Sequence, residues 1–356
     1  VSEINKYLEF SKNNPFGTQA KMLYHVDRVS EYVKTGDTFP IFMEVNLTDV
    51  CNLKCAWCIS NNRLEKEKPN VSLDFERLKL FVKDFASNGG KALTWSGGGE
   101  PTLYKYFREI TEYALECGLE LGLMTHGGFN KNLVPLIGNS FKWSRMSLDT
   151  LDAVKYKAWK GLDLTTRIKE NVAELKDYPC KVGINVNINS DMPVSDIREL
   201  IEYCYDNVDY IQFRPILPRY FKNETIEINN AVWEYLEQYK TDPKINLSLD
   251  KFYDLKSEQA FPFKSCEGHF FSPILDAGGD IKICMYHPNR NEFSFGNINN
   301  KTFLEIWNGE QRQKAIEFVR KLDYSKNCQM CCKLCELNKF VDFIKNPNQG
   351  MDINFL

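Results

Sequence analysis

The chain has 356 residues, 43% of them hydrophobic, which is enough for one large α/β domain with an appendage or for two domains. A formal charge of −3 with no basic block gives a nucleic-acid partner no electrostatic footprint. The apolar residues are too scattered to predict a membrane-spanning helix or a secretory signal.

Residues 1–40 read as a polar, helical lead-in with apolar spots at Tyr7-Leu8-Glu9-Phe10 and Met22-Leu23. Strands are predicted at 41–47, 91–96, 119–125, 142–149, 180–188 and 209–214. Helices are predicted between them at 72–87, 101–117, 130–137, 164–177 and 194–206. Strict βα alternation predicts an α/β fold with a parallel sheet buried on both faces. In parallel barrels chemistry gathers at the C-terminal strand ends. After residue 240 the alternation stops. The run Ser272 to Cys284 reads as a hairpin turning at Gly278-Gly279, and Thr302 to Leu322 as a helix. Cys328, Cys331, Cys332 and Cys335 follow within eight residues, and 346–356 form a tail.

The first strand leads into Cys51-Asn52-Leu53-Lys54-Cys55-Ala56-Trp57-Cys58, a C-x3-C-x2-C loop. Three thiolates on one loop suit a cubane iron–sulfur cluster that leaves one iron open to a small molecule. Zinc prefers four ligands in C-x2-C pairs, and the chain has only 4 His. The second strand runs into Ser96-Gly97-Gly98-Gly99-Glu100-Pro101, whose glycines permit close backbone approach and whose carboxylate suits a cationic group.

The cysteine loop and the GGEP turn together resemble the signature of the radical S-adenosylmethionine (radical SAM) superfamily. The resemblance implies a partial (β/α)6, TIM-like barrel over residues 41–240. It implies a 4Fe–4S cluster on Cys51, Cys55 and Cys58 whose open iron holds SAM, with Gly98, Gly99 and Glu100 at the methionyl amino group. Thr125, Ser147 and Asn187, at later strand ends, would hold the ribose and methionyl parts, and Trp57 would lie along the adenine. Asp149 and Arg214 are the candidates for substrate contact and catalysis, with His126 a weaker third.

The second cysteine field, over 241–345, resembles the SPASM and twitch domains that hold auxiliary 4Fe–4S clusters. Its six cysteines cannot supply two clusters of four ligands each, so one auxiliary cluster is expected, as in the shorter twitch form. Cys266 and Cys284 are the firmer ligands, with two more from Cys328, Cys331, Cys332 and Cys335; a zinc knuckle is the alternative. Cys117, Cys180 and Cys204 read as core residues.

The family implies reductive cleavage of SAM to a 5′-deoxyadenosyl radical, which takes hydrogen from a C–H bond. A flavodoxin- or ferredoxin-type donor and a cytoplasmic location are expected. The 40 residues before the barrel are few for a leader-peptide module, which favours a small polar metabolite such as a sugar, cyclitol or nucleotide-like molecule. Oxidation, epimerisation or deoxygenation would follow. Maturation of a ribosomally made peptide is the alternative, and a non-catalytic iron–sulfur electron carrier is the alternative of another class.

Overall fold

The computed structural model describes residues 21–58, 60, 71–216, 229–248, 263–287, 290–328 and 334–346. Residues 1–20 of the expected lead-in, together with Cys331 and Cys332, lie outside them.

Seven parallel strands form the barrel wall in chain order: β1 (Phe42–Asn46), β2 (Ala92–Ser96), β3 (Glu120–Thr125), β4 (Trp143–Ser147), β5 (Lys181–Ile188), β6 (Tyr210–Pro215) and β7 (Ile245–Leu247). Between them run α2 (Phe75–Ser87), α3 (Phe107–Glu116), α4 (Val134–Ser140), α5 (Ala153–Lys160), α6 (Thr165–Leu175), α7 (Val194–Asn207) and α8 (Asn230–Leu236), after an initial α1 (Val26–Thr35). The first six strands match the predicted ones within two residues. The alternation does not stop at 240, because α8 and the three-residue β7 add a seventh unit across that boundary.

The sheet continues past β1 on its other edge. There β8 (Ile274–Leu275) pairs parallel to β1, and β9 (Asp280–Lys282) and β10 (Ser294–Asn297) follow antiparallel. The expected hairpin is therefore present, with Gly279 at φ +91° in its turn. It extends the barrel sheet directly, so the auxiliary region shares backbone hydrogen bonds with the first strand. The helix expected over 302–322 is broken into α9 (Phe303–Trp307) and α10 (Glu310–Arg320). Thr302 opens the first with a capping box to Glu305. The short α11 (Tyr324–Asn327) and then α12 (Cys335–Lys345) complete the described chain.

The pleat explains the layers. One parity of each strand is apolar and buried against helices, for example Met43 and Val45, Leu93 and Trp95, Ile184 and Val186, and Phe213. Each such side chain contributes roughly 1.5–3 kcal/mol. The other parity is polar and faces the barrel interior: Glu44 and Asn46, Thr94 and Ser96, Arg145 and Ser147, Asn185 and Asn187, Gln212 and Arg214. The floor of that interior is plugged. Arg145 lies over both Trp143 and Tyr210, 5.3 and 5.6 Å from their ring centres, and donates to the Tyr210 hydroxyl at 3.1 Å. Gly183 makes room for this plug, since a Cβ there would come within 2.1 Å of the Tyr210 ring. The plug fills the N-terminal half of the interior, and the cysteine loop and the glycine turn lie at the opposite, C-terminal strand ends.

Candidate active site and auxiliary cluster site

At that end lies a cleft of about 320 Å³ lined by Cys51, Cys55, Cys58, Trp57, Gly97 to Glu100, Thr125, His126, Ser147, Lys160, Asn187, Arg214 and Tyr286. It gathers every barrel residue singled out from sequence except Asp149. The cysteine loop is held from outside the sheet, by the end of α5. Lys54 N–H donates to the Lys160 carbonyl at 2.8 Å, and Ala56 N–H to that of Trp159 at 2.9 Å. Trp57 packs on Trp159, ring centres 5.7 Å apart. The glycine turn is tied to the start of the loop, with Gly99 N–H on the Thr48 carbonyl at 2.9 Å and Glu100 N–H on that of Val50 at 2.8 Å. A Cβ at Gly99 would sit 2.1 Å from the Val50 oxygen, so only glycine allows this approach.

Glu100 does more than offer a charge. Its Oε1 accepts from the Thr102 amide (3.2 Å), the Thr102 hydroxyl (2.7 Å) and the Thr125 hydroxyl (2.7 Å). Its Oε2 accepts from the His126 amide at 2.8 Å. The carboxylate thus staples the end of β3 to the GGEP turn. Thr125 has the pleat parity of Leu123, not that of Ser147 and Asn187, and its hydroxyl is spent on Glu100. The His126 Nδ1 accepts from Gly128 N–H at 2.9 Å, which leaves the ring proton on Nε2, facing Asn52 Oδ1 at 2.9 Å. Burial lowers the His126 pKa, so the ring is neutral at physiological pH.

Asp149 lies beneath the cleft and not on its wall. It is fully buried, accepts from the Asn187 amide at 2.6 Å, and forms an ion pair with Lys160. Its partner is therefore Lys160, and Arg214 takes no part in that pair. Lys160, which the sequence did not single out, is 3% exposed and stands 5.4 Å from the Trp57 ring centre. Burial works against its ammonium, but Asp149 and then Cys55 outweigh that and raise its pKa. Arg214 reaches the cleft with no hydrogen-bond partner among the described residues.

The cleft residues fit a cluster with one open iron and SAM beside it. Three thiols line one volume, and burial raises Cys51 and Cys55 to about 11, so cluster binding would expel their protons. The Trp57 Nε1 is buried with no hydrogen-bond partner among the described residues, a donor that a ligand can meet.

The second cavity, of about 30 Å³, is lined by Cys266, Cys284 and Cys328 with Phe263, Ile283, Phe293, Val319, Leu322 and Leu334. Cys335 is buried at the start of α12, one residue past Leu334. Three thiols in an apolar shell fit a desolvated iron–sulfur cluster. Tyr286 lines both this cavity and the barrel cleft. Cys180 and Cys204 are buried core residues, as expected, and Cys117 is half-buried.

The comparisons with known proteins agree with this geometry. A family model described as the radical SAM superfamily matches residues 45–211, and a SPASM model, described as an iron–sulfur cluster-binding domain, matches 266–335. The chain belongs to the radical SAM superfamily and carries a C-terminal SPASM-type domain; it is an enzyme that uses SAM and 4Fe–4S clusters. A GTP 3′,8-cyclase of Campylobacter jejuni is 25% identical over 264 residues, covering 69% of this chain and 80% of its own. One from Aliarcobacter butzleri is 21% identical over 302 residues, covering 79% and 88%. Among solved structures, Streptococcus suis SuiB bound to SAM matches with TM-score 0.64 at 18% identity, over 92% of this chain and 79% of that one. The enzyme anSMEcpe with bound SAM matches with TM-score 0.61 at 16% identity, over 86% and 96%. At these identities the structural likeness carries the fold. No helix among the described residues is long and apolar enough to cross a membrane.

Proposed function

We propose that the enzyme abstracts hydrogen from a small, anionic, polyhydroxylated metabolite, with a sugar nucleotide or nucleotide-like molecule first, leading to oxidation, epimerisation or deoxygenation. The observation that carries this reading is Arg214. A guanidinium in the cleft with no hydrogen-bond partner among the described residues is prepared for a carboxylate or phosphate, which it can take with two parallel bonds. The interior below supports the same reading. The side-chain oxygens of Asn46, Asn185 and Gln212 are buried without hydrogen-bond partners among the described residues, on the pleat parity that leads to the cleft. Acceptors of this kind suit hydroxyl donors. The GTP 3′,8-cyclase relatives, named for a nucleotide, point the same way.

When bound, the cluster and SAM supply the hydrogen-abstracting radical. The chain's own residues position and exclude. Cys51, Cys55 and Cys58 would hold the cluster, and Gly98 and Gly99 would give the SAM ammonium close access to backbone carbonyls. Lys160, fixed by Asp149, would supply a cation to the SAM carboxylate. Trp57 would lie along the adenine, and Ser147 and Asn187 would hold the ribose and methionyl parts. Asp149 fixes Lys160 and the Asn187 amide, and so acts as a positioning residue. A flavodoxin- or ferredoxin-type protein would deliver the electron.

The test is transfer of label. Deuterated sugar nucleotides should pass deuterium into 5′-deoxyadenosine, and Arg214→Gln should raise KM on the order of tenfold or more without changing the SAM dissociation constant. Label transfer from a peptide alone would overturn the metabolite reading in favour of peptide maturation.

A further inference from the structure

We propose that Asn338 sets the reduction potential of the auxiliary cluster by hydrogen-bonding the sulfur of Cys266. The proposal rests on Cys266 being a ligand of that cluster. Asn338 projects from α12 and is 1% exposed. Its Oδ1 accepts from two backbone amides, Glu267 at 2.8 Å and Gly268 at 2.6 Å. Both partners are pure donors, so the oxygen must face them and the side-chain orientation is fixed. The amide NH2 is then forced toward the Cys266 sulfur, where Nδ2 stands at 3.4 Å.

The sulfur cannot easily evade this donor. The Cys266 backbone is pinned as well, its N–H donating to the Tyr324 hydroxyl at 2.9 Å, which in turn donates to the Val319 carbonyl at 2.6 Å. The surrounding wall is built largely from Phe263, Ile283, Phe293, Val319 and Leu334. In such a low-dielectric shell, one oriented N–H on a thiolate counts for more than it would in water. A reduced cluster places more negative charge on its sulfurs, so the bond favours the reduced state and raises the potential. The same turn thus supplies a ligand and, through α12, the group that tunes it.

The experiment is an EPR-monitored redox titration of the anaerobic holoprotein, with the SAM-site cluster recognised by its response to added SAM. Asn338→Asp keeps an acceptor for the two backbone amides and removes the donor. Asn338→Leu removes the donor without adding charge. Both should lower the auxiliary midpoint while leaving the SAM-site midpoint in place. The expected size is about a tenfold fall in the reduced-to-oxidised ratio at fixed potential, or 59 mV for one electron. An unchanged auxiliary midpoint in either iron-replete variant would overturn the proposal. So would loss of the auxiliary iron from both variants, which would make Asn338 a builder of the site and not its tuner. Cys266→Ala tests the ligand reading separately: full iron retention there would remove Cys266 from the cluster without reference to Asn338.

Discussion

The two cysteine sites of this chain are built on opposite principles. The barrel cleft has about 320 Å³ of room, and polar side chains from five of the strand ends reach it. The auxiliary cavity has about 30 Å³ and a mainly apolar wall. A site that must admit SAM and a substrate needs volume, and its polar groups must be left for ligands. A site that holds a cluster and admits no further ligand needs room for the cubane alone, and gains from excluding water. The contrast extends to what holds each loop. The Cys51 loop is held mainly through its backbone, by the end of α5 and by the glycine turn, whereas Cys266 is pinned through the Tyr324 hydroxyl and its sulfur faces Asn338. Tyr286 stands in both walls, so the closed site adjoins the open one.

The contrast predicts different failures. Changing Cys51, Cys55 and Cys58 together to Ala should abolish 5′-deoxyadenosine formation. Iron content should fall from about eight to about four per chain, with little change in melting temperature. Changing Cys266 and Cys284 together should instead empty a buried core element. The melting temperature should then drop by on the order of 5–10 °C, read by calorimetry under anaerobic conditions. Equal melting temperatures in the two variants would break the comparison. A second consequence is kinetic. A ferrous chelator should strip the cleft cluster on the order of tenfold faster than the auxiliary one, because the closed site must open locally before iron leaves.

Much of this was legible in the sequence because it is local. Cysteine spacing, the GGEP turn and the hairpin glycines each specify a backbone shape within a few residues. The first six strands declared themselves by alternating apolar and polar residues between helical segments. What stayed hidden is what tertiary contact decides. Lys160 closes α5, a helix whose exposed Val154 and lysines at 155, 157 and 160 give no clear apolar stripe. A lysine is also the residue least expected to be buried, and Asp149, reached across the fold, is its main counter-charge. The strand β7 is too short, at three residues, to show a period. Thr125 ends its strand on the helix-facing parity, yet reaches the cleft because the chain turns there toward Glu100. Asn338 sits in a helix like any polar residue, and only the fold brings it to Cys266.

The buried pair beneath the open cleft sharpens the comparison further. Asp149→Asn should cost about 3–5 kcal/mol of stability, because it leaves the Lys160 ammonium buried without its counter-charge. Adding Lys160→Met should recover most of that loss while SAM binding stays weak, since the pair serves the site more than the fold. Glu100→Gln should have a smaller effect. Losing a charged acceptor should weaken SAM binding by roughly 1.5–3 kcal/mol, partly by loosening the turn that Thr102, Thr125 and His126 hold. Isothermal titration reads the affinity, and an unchanged dissociation constant would mean the carboxylate serves the fold alone.

The smallest expected effect separates the sites by pH. Burial lowers the His126 pKa from 6.5 in the folded chain. The unfolded chain therefore binds a proton first as the pH falls. The stability contributed by the neutral ring is complete above about pH 6.5 and declines below it, by at most about 1.4 kcal/mol per pH unit. Denaturant midpoints at pH 7.5 and 5.5 should show this loss in the native protein and a shallower one in His126→Gln, whose amide can still meet Gly128 and Asn52. His287, on the wall of the closed cavity, is pushed down to about 4 by burial, so its share of the slope should persist in that variant. If His126→Gln leaves the slope unchanged, His126 contributes nothing to the acid sensitivity, which then rests on the other histidines that burial lowers, His25, His269 and His287.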